Sequence, residues 1–205
     1  MSRSSVSGAF KSFPTSATSY STPRLSFRFL STLGCSACRY ICIQPFLLNH
    51  AGLNTASLFL SLGFPYDNSL NAVRLIQSGL FDETPDLKLI VAHIGGVIPY
   101  LAGRIASFTP SSPIFPDVPR LIHPIDHYLR QLYVDTVCYR LEALECCYKV
   151  MGANHMLYGT DHPFGRADVA AELIEQLSCL PSGRELIYHG NAQRLLNLKK
   201  MPVAV

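Results

Sequence analysis

Two short stretches of this chain share one pattern, and that pattern limits the folds open to it. In residues 87–96 an apolar run ends at His93, and two glycines follow after Ile94. In residues 156–164 a second apolar run reaches Gly159, and then a Thr, Asp161 and a His-Pro pair come next. Apolar runs of this length that end in polar residues with glycine or proline are typical of buried strands. The sequence therefore predicts strands that end near His93 and Asp161.

Helical segments separate the predicted strands. Strands are expected near residues 40, 90, 133 and 157, and apolar residues recur at helical spacing between them, for example over residues 141–151. Strands that alternate with helices indicate a parallel sheet of the α/β class. Two strand ends that carry His93 and Asp161 further suggest one βα barrel, which presents both side chains at one mouth.

His93 and Asp161 are the candidate catalytic residues. Enzymes of the βα barrel class place their chemistry where strands end and loops begin. An Asp at a buried strand end can bind a metal or donate a proton, whereas the alternative is a turn Asp that caps the next helix. His93 alone would be read as a core histidine. Beside Asp161, the functional interpretation is favoured for both residues.

Composition excludes several classes of protein. The chain has 205 residues and a formal net charge of +3, without a long Lys/Arg run, so no nucleic-acid partner is expected. No apolar run reaches the roughly 18 residues of a membrane-spanning helix, so no membrane partner is expected either. The seven cysteines form an odd set, which favours free thiols over a disulfide framework.

The first 36 residues differ in composition from the rest. They are rich in Ser and Thr and hold four basic residues, while the first acidic residue of the chain is Asp67. That composition predicts a disordered or targeting-like segment over 1–36, followed by a barrel domain over 37–205. A cytoplasmic protein is expected, with a mitochondrial one as the alternative if 1–36 is a transit peptide. A mispredicted first exon would give the same pattern.

Four motifs together carry a family resemblance. They are Ala-His-Ile-Gly-Gly at 92–96 with the helix to residue 104, Tyr-Val-Asp-Thr at 133–136, Leu-Tyr-Gly-Thr-Asp-His-Pro-Phe at 157–164, and Gly-Asn-Ala-Gln-Arg-Leu-Leu at 190–196. In this order they resemble the amidohydrolase-related metal-dependent decarboxylases, and most of all the fungal 6-methylsalicylate decarboxylase type. The resemblance extends from about residue 58 to residue 198.

The resemblance implies a fold, an activity and a cofactor. The fold would be the C-terminal half of a TIM-like (β/α)8 barrel, incomplete because the chain is N-terminally truncated relative to the family. The activity would be decarboxylation of a small aromatic acid such as 6-methylsalicylate, in polyketide or other secondary metabolism. A divalent metal, zinc or else manganese, would hold the substrate, with Asp161 as a ligand and His93 assisting proton transfer. Paired subunits in a homodimer are usual for such relatives.

The sequence departs from the family at its metal ligands. Relatives carry an HxH motif on their first strand, and no HxH occurs in this chain. A further family His-Pro pair corresponds here to Gln44-Pro45, and a neutral amide is a poor zinc ligand. His50 follows closely and is the candidate replacement ligand. Two other hypotheses therefore stay open: a hydrolase of a lactone or amide on the same scaffold, and an inactive truncated paralogue.

Overall fold

The computed structural model describes residues 40–43, 56–108 and 121–198, with the backbone alone for 40–43. Its strands form one parallel sheet in the order β1-β2-β3-β4. The strands are β1 (Tyr40–Ile43), β2 (Lys88–Val91), β3 (Tyr133–Asp135) and β4 (Met156–Leu157). Each predicted strand position is confirmed. Because all four strands run in the same direction, their carboxyl ends share one edge of the sheet.

Helices connect the successive strands, as the α/β class requires. They are α1 (Ala56–Leu58), α2 (Phe64–Gln77), α3 (Leu80–Glu83), α4 (Ile98–Phe108), α5 (Ile125–Leu129), α6 (Leu141–Met151), α7 (Ala167–Gln176), α8 (Pro181–Glu185) and α9 (Asn191–Leu195). A π-helical turn, Phe59–Gly63, joins α1 to α2, and another, Leu186–Gly190, joins α8 to α9. A 3₁₀ turn, Ala153–His155, precedes β4. The predicted alternation of strands and helices is therefore confirmed.

The core lies between the sheet and its helices. In β2, Leu89 and Val91 are fully buried, while Lys88 and Ile90, which alternate with them, are half-buried. Fully buried side chains of α2, α6 and α7 belong to the same apolar cluster: Ile76, Leu144 and Ile174 respectively. Burial of this apolar area, worth about 25 cal/mol per Å², is the main force that holds helices on the sheet.

The local sequence at the start of α2 does not indicate the structure that forms there. Residues 63–65 resemble a turn and residues 67–69 resemble a helix cap, yet the chain is helical through both. Pro65 is tolerated because the first turn of a helix does not need its N–H. The polar residues Asn68 and Ser69 lie inside α2 and are buried. Both side chains form hydrogen bonds with the turn after β2, which is distant in sequence, and this contact explains why polar residues are buried here.

Several sequence predictions fall outside the described residues. These are the segment 1–36, the Gln44-Pro45 pair and the candidate metal ligand His50. Within the ranges that are described, none of the helices combines the length and apolar character needed to cross a membrane.

Candidate functional site

The carboxyl ends of β2, β3 and β4 bring the candidate residues His93 and Asp161 to one edge of the sheet, together with Asp135. Val91 pairs with Val134, and Asp135 pairs with Leu157, so the ends of the three strands lie in register. His93 follows β2, Asp135 ends β3, and Asp161 lies beyond β4. The structure therefore places His93 and Asp161 in turns at the same edge, as the sequence predicts.

The turn after β2 has an unusual backbone. His93 has φ 58° and ψ 56°, Ile94 has φ 50° and ψ 27°, and Gly95 and Gly96 also have positive φ. A non-glycine residue in the left-handed region is held there at a cost of about 1–3 kcal/mol. Two such residues in succession must therefore be stabilised by their surroundings, and such strain is common at functional sites.

Asp135 stabilises this turn from β3. Its Oδ1 accepts hydrogen bonds from the N–H of Ile94 at 2.8 Å and from the N–H of Val137 at 3.0 Å. Burial raises the pKa of the Asp135 carboxyl above its ordinary value, and these N–H groups and nearby His93 oppose the rise. Asp135 thus connects the end of β3 to the turn after β2, and its role is to fix the backbone that carries His93.

Helix α2 packs directly against the same turn. Ser69 Oγ donates a hydrogen bond to the carbonyl of Pro65 at 2.7 Å and accepts one from the N–H of Val97 at 2.8 Å. A Cβ placed on Gly96 would lie 2.1 Å from the Pro65 carbonyl oxygen. Glycine is required at position 96 both by this close approach and by its φ of 63°.

Helix α2 also fixes the His93 ring. The side-chain nitrogen of Asn68 lies 2.9 Å from His93 Nδ1 and 3.2 Å from the carbonyl oxygen of Ala92. Asn68 is fully buried, whereas His93 is half-buried. The ring of Phe64 stacks on the His93 ring at a centroid distance of 6.3 Å. Sequence analysis missed Asn68, and its one signal was a polar residue inside an otherwise amphipathic helix.

The turn that carries Asp161 is more open. Asp161 has φ 56°, and its carbonyl oxygen accepts hydrogen bonds from the N–H groups of Phe164 and Gly165 at 2.8 and 2.7 Å. Its side chain is exposed, and no other described residue forms a hydrogen bond with its carboxylate. The buried Thr136 side chain holds the start of this turn, because its Oγ1 contacts both the N–H and the carbonyl of Gly159.

The structure does not favour a capping role for Asp161. Helix α7 begins at Ala167, and its N-cap residue is Arg166. Asp161 therefore lies ahead of the helix rather than at its start. Its carboxylate is directed to solvent at the edge where the strands end, and it remains available to a substrate or a cation.

The described residues do not by themselves form a metal centre. Over residues 56–108 and 121–198, no group of three His, Cys, Asp or Glu side chains is close enough to hold a metal ion. Asp161 supplies a single carboxylate, and His93 Nδ1 is already in contact with Asn68. A catalytic zinc site normally needs three protein ligands. The further candidate ligand, His50, lies outside the described ranges.

The fold and the strand-end residues together define a class of protein. The family profile described as "Amidohydrolase" matches residues 47–198. The chain belongs to this amidohydrolase family.

Two curated relatives and one solved structure illustrate the similarity. The chain is 33% identical over 138 residues to gamma-resorcylate decarboxylase of Polaromonas sp. (strain JS666 / ATCC BAA-500), covering 67% of this chain and 42% of that protein. It is 28% identical over 105 residues to 6-methylsalicylic acid decarboxylase of Penicillium expansum, covering 49% and 31%. The crystal structure of dihydroxybenzoic acid decarboxylase from Polaromonas sp. JS666, with bound manganese and the inhibitor 2-nitroresorcinol, aligns with a TM-score of 0.65. That alignment has 29% identity and covers 78% of this chain and 50% of that chain.

These matches confirm the predicted family and fold class. The chain is an α/β protein whose parallel sheet corresponds to part of the barrel of these decarboxylases. It spans about half the length of the solved structure and less than half the length of the curated relatives.

Proposed function

We propose that this chain carries part of the active site of a decarboxylase that acts on a small aromatic carboxylic acid. The observation that carries the proposal is the placement of His93 and Asp161 in turns at one edge of a parallel sheet, within the segment that matches the family. The relatives' names support the substrate class, since they refer to resorcylate and methylsalicylate.

The chemistry of decarboxylation fits the two side chains. Loss of CO2 from a hydroxybenzoate requires that a proton be delivered to the ring carbon, so an acid must lie near the scissile bond. The Asp161 carboxyl group is exposed at the strand ends, where it can contact an entering substrate, and it is the candidate donor of this proton. His93 can orient the substrate. Within the class of small aromatic acids, we infer that the substrate is a 6-methylsalicylate-like hydroxybenzoate.

A divalent metal is a further part of the proposal. When bound, such an ion would act as a Lewis acid for the substrate's carboxylate. Asp161 is the ligand that the described residues offer, and His50 is the second candidate. We propose zinc, with manganese as the alternative, and the manganese bound in the solved relative supports a divalent ion in general.

A substrate comparison tests the proposed function. Purified protein is incubated with gamma-resorcylate, 6-methylsalicylate and an aromatic lactone, and CO2 release and lactone opening are measured. Asp161→Asn should abolish CO2 release, while Asp168→Asn should preserve it, because Asp168 pairs with Arg166 at the start of α7. Lactone opening without CO2 release would instead support the hydrolase alternative. Failure with all three substrates would contradict activity of this polypeptide.

A further inference from the structure

We propose that Asn68 is a positioning residue that fixes the tautomer of His93. In this arrangement Nδ1 of His93 accepts a hydrogen bond, and the single proton of the neutral ring lies on Nε2. His93 then presents an N–H donor at the site. The assignment of tautomer rests on the structure alone, whereas its consequence for substrate binding rests on the proposed function.

The contacts of the Asn68 amide determine the direction of this hydrogen bond. Its nitrogen lies 3.2 Å from the carbonyl oxygen of Ala92 and 2.9 Å from Nδ1 of His93. An amide nitrogen carries two hydrogens, so it can donate to both atoms at once. If the amide oxygen took its place, two carbonyl oxygens would face each other near Ala92. The nitrogen therefore occupies this position, and Nδ1 must be the acceptor.

A second observation concerns the other atom of the same amide. The Oδ1 atom of Asn68 is buried and has no hydrogen-bond partner among the described residues. A buried acceptor without a partner destabilises a fold by about 1–3 kcal/mol. An apolar side chain at position 68 would avoid this loss. The amide is therefore best explained by its two donated hydrogen bonds, of which one goes to His93.

The surrounding contacts leave the His93 ring little freedom to change this arrangement. Asn68 lies in the interior of α2 and is fully buried. The backbone at Ile94 is held by Asp135, and the Phe64 ring stacks on the imidazole. Because the ring and the amide are both held in place, the hydrogen bond between them can select one tautomer persistently.

The selected tautomer has a consequence for chemistry. With Nδ1 engaged by Asn68 and Nε2 protonated, neutral His93 has no free lone pair to accept a proton from water. It can donate a hydrogen bond from Nε2, and no described residue accepts one there. The natural acceptor is a carboxylate or phenol oxygen of an aromatic acid. His93 would thus orient a hydroxybenzoate rather than act as the general base that a hydrolase needs.

Imidazole NMR tests the tautomer without any substrate. Long-range ¹H–¹⁵N correlation spectra distinguish a ring protonated on Nε2 from one protonated on Nδ1. Spectra of the ¹⁵N-labelled protein are recorded at about pH 8.5, well above the ordinary histidine pKa of about 6.5. The His93 signals are assigned by their loss in His93→Gln. We expect the Nε2–H pattern, and a proton on Nδ1 in the unmodified protein would overturn the proposal.

Two substitutions test the role of Asn68. In Asn68→Asp the side chain can no longer donate, so Nδ1 of His93 should become protonated, and in Asn68→Ala a mixture of tautomers is expected. Asn71→Asp is the matched control, because it makes the same change one turn further along α2, without a hydrogen bond to His93. An unchanged Nε2–H pattern in the Asn68 variants would refute the positioning role. Since no turnover is measured, a failed decarboxylase assay would leave this result intact.

Discussion

The turns after β2 and β4 share one backbone feature but have very different surroundings. Each carries a candidate catalytic residue with a left-handed backbone, His93 with φ 58° and Asp161 with φ 56°. The first turn is held by Asp135 from β3 and by side chains of α2. The turn at Asp161 is closed by its own backbone hydrogen bonds, and its carboxylate is exposed. Strain is thus common to both turns, whereas only the first has its side chain fixed by neighbouring elements.

The two turns therefore position their side chains in different ways. The His93 ring is positioned before any ligand arrives, because buried groups of α2 and β3 hold both its backbone and its imidazole. The Asp161 carboxylate is exposed and is held by no hydrogen bond from another described residue. We therefore expect substitutions around the first turn to reduce stability strongly, and substitution of Asp161 to affect binding with little change in stability.

The largest effect is expected for Gly96→Ala. The new Cβ would lie 2.1 Å from the backbone oxygen of Pro65, at a residue with φ 63°, so either the turn or α2 must move. We expect a loss of about 3–5 kcal/mol in the free energy of unfolding, measured by urea denaturation. The matched control is Gly103→Ala in α4, where a Cβ meets no atom within 4 Å. If both variants unfold at the same urea concentration, the turn is not fixed as described.

The second largest effect is expected for Asp135→Ala. The substitution removes the acceptor for the N–H groups of Ile94 and Val137, which then lack partners in a partly buried site. We expect a loss of about 2–4 kcal/mol in urea denaturation. Asp86→Ala, an exposed carboxylate ahead of β2, should change stability by less than about 0.5 kcal/mol. Equal effects of the two substitutions would show that Asp135 is not needed to hold the turn.

The sequence predicted elements well but not contacts between distant segments. Apolar periodicity located all four strands, and the helical spacing predicted over residues 141–151 matches the bounds of α6. It placed His93 and Asp161 at strand ends for the same reason. The local sequence does not show that Asn68 and Ser69 lie inside α2, because polar residues within a helix have the same local pattern as a helix cap. Their partners lie 24 to 28 residues away, on the turn after β2, and no local pattern encodes that contact.

A third prediction uses the pH dependence of Asp135. Burial raises the pKa of its carboxyl above the ordinary 3.8, so the folded state binds this proton more tightly than the unfolded state. The stability that this group contributes is fully present below pH 3.8 and is lost as the pH rises through the raised pKa of the folded state. The free energy of unfolding should therefore fall with rising pH relative to Asp135→Asn, whose amide does not titrate. Urea denaturation of both proteins at a series of pH values from about 3.5 to 7 measures this difference, and parallel curves would contradict it.

The smallest change in stability is expected for Asp161→Asn. The side chain is exposed and forms no hydrogen bond with any described residue, so the free energy of unfolding should change by less than about 0.5 kcal/mol.

Metal binding by Asp161→Asn should respond differently, because the amide is a weaker ligand for a cation than the carboxylate. Elemental analysis of the purified proteins should show less bound divalent metal in Asp161→Asn than in Asp86→Asn, which serves as the exposed control. A large loss of stability in Asp161→Asn would mean that the turn after β4 is fixed as firmly as the turn after β2, and the contrast between them would be wrong. Unchanged stability together with less bound metal would instead indicate that this turn functions through its free carboxylate.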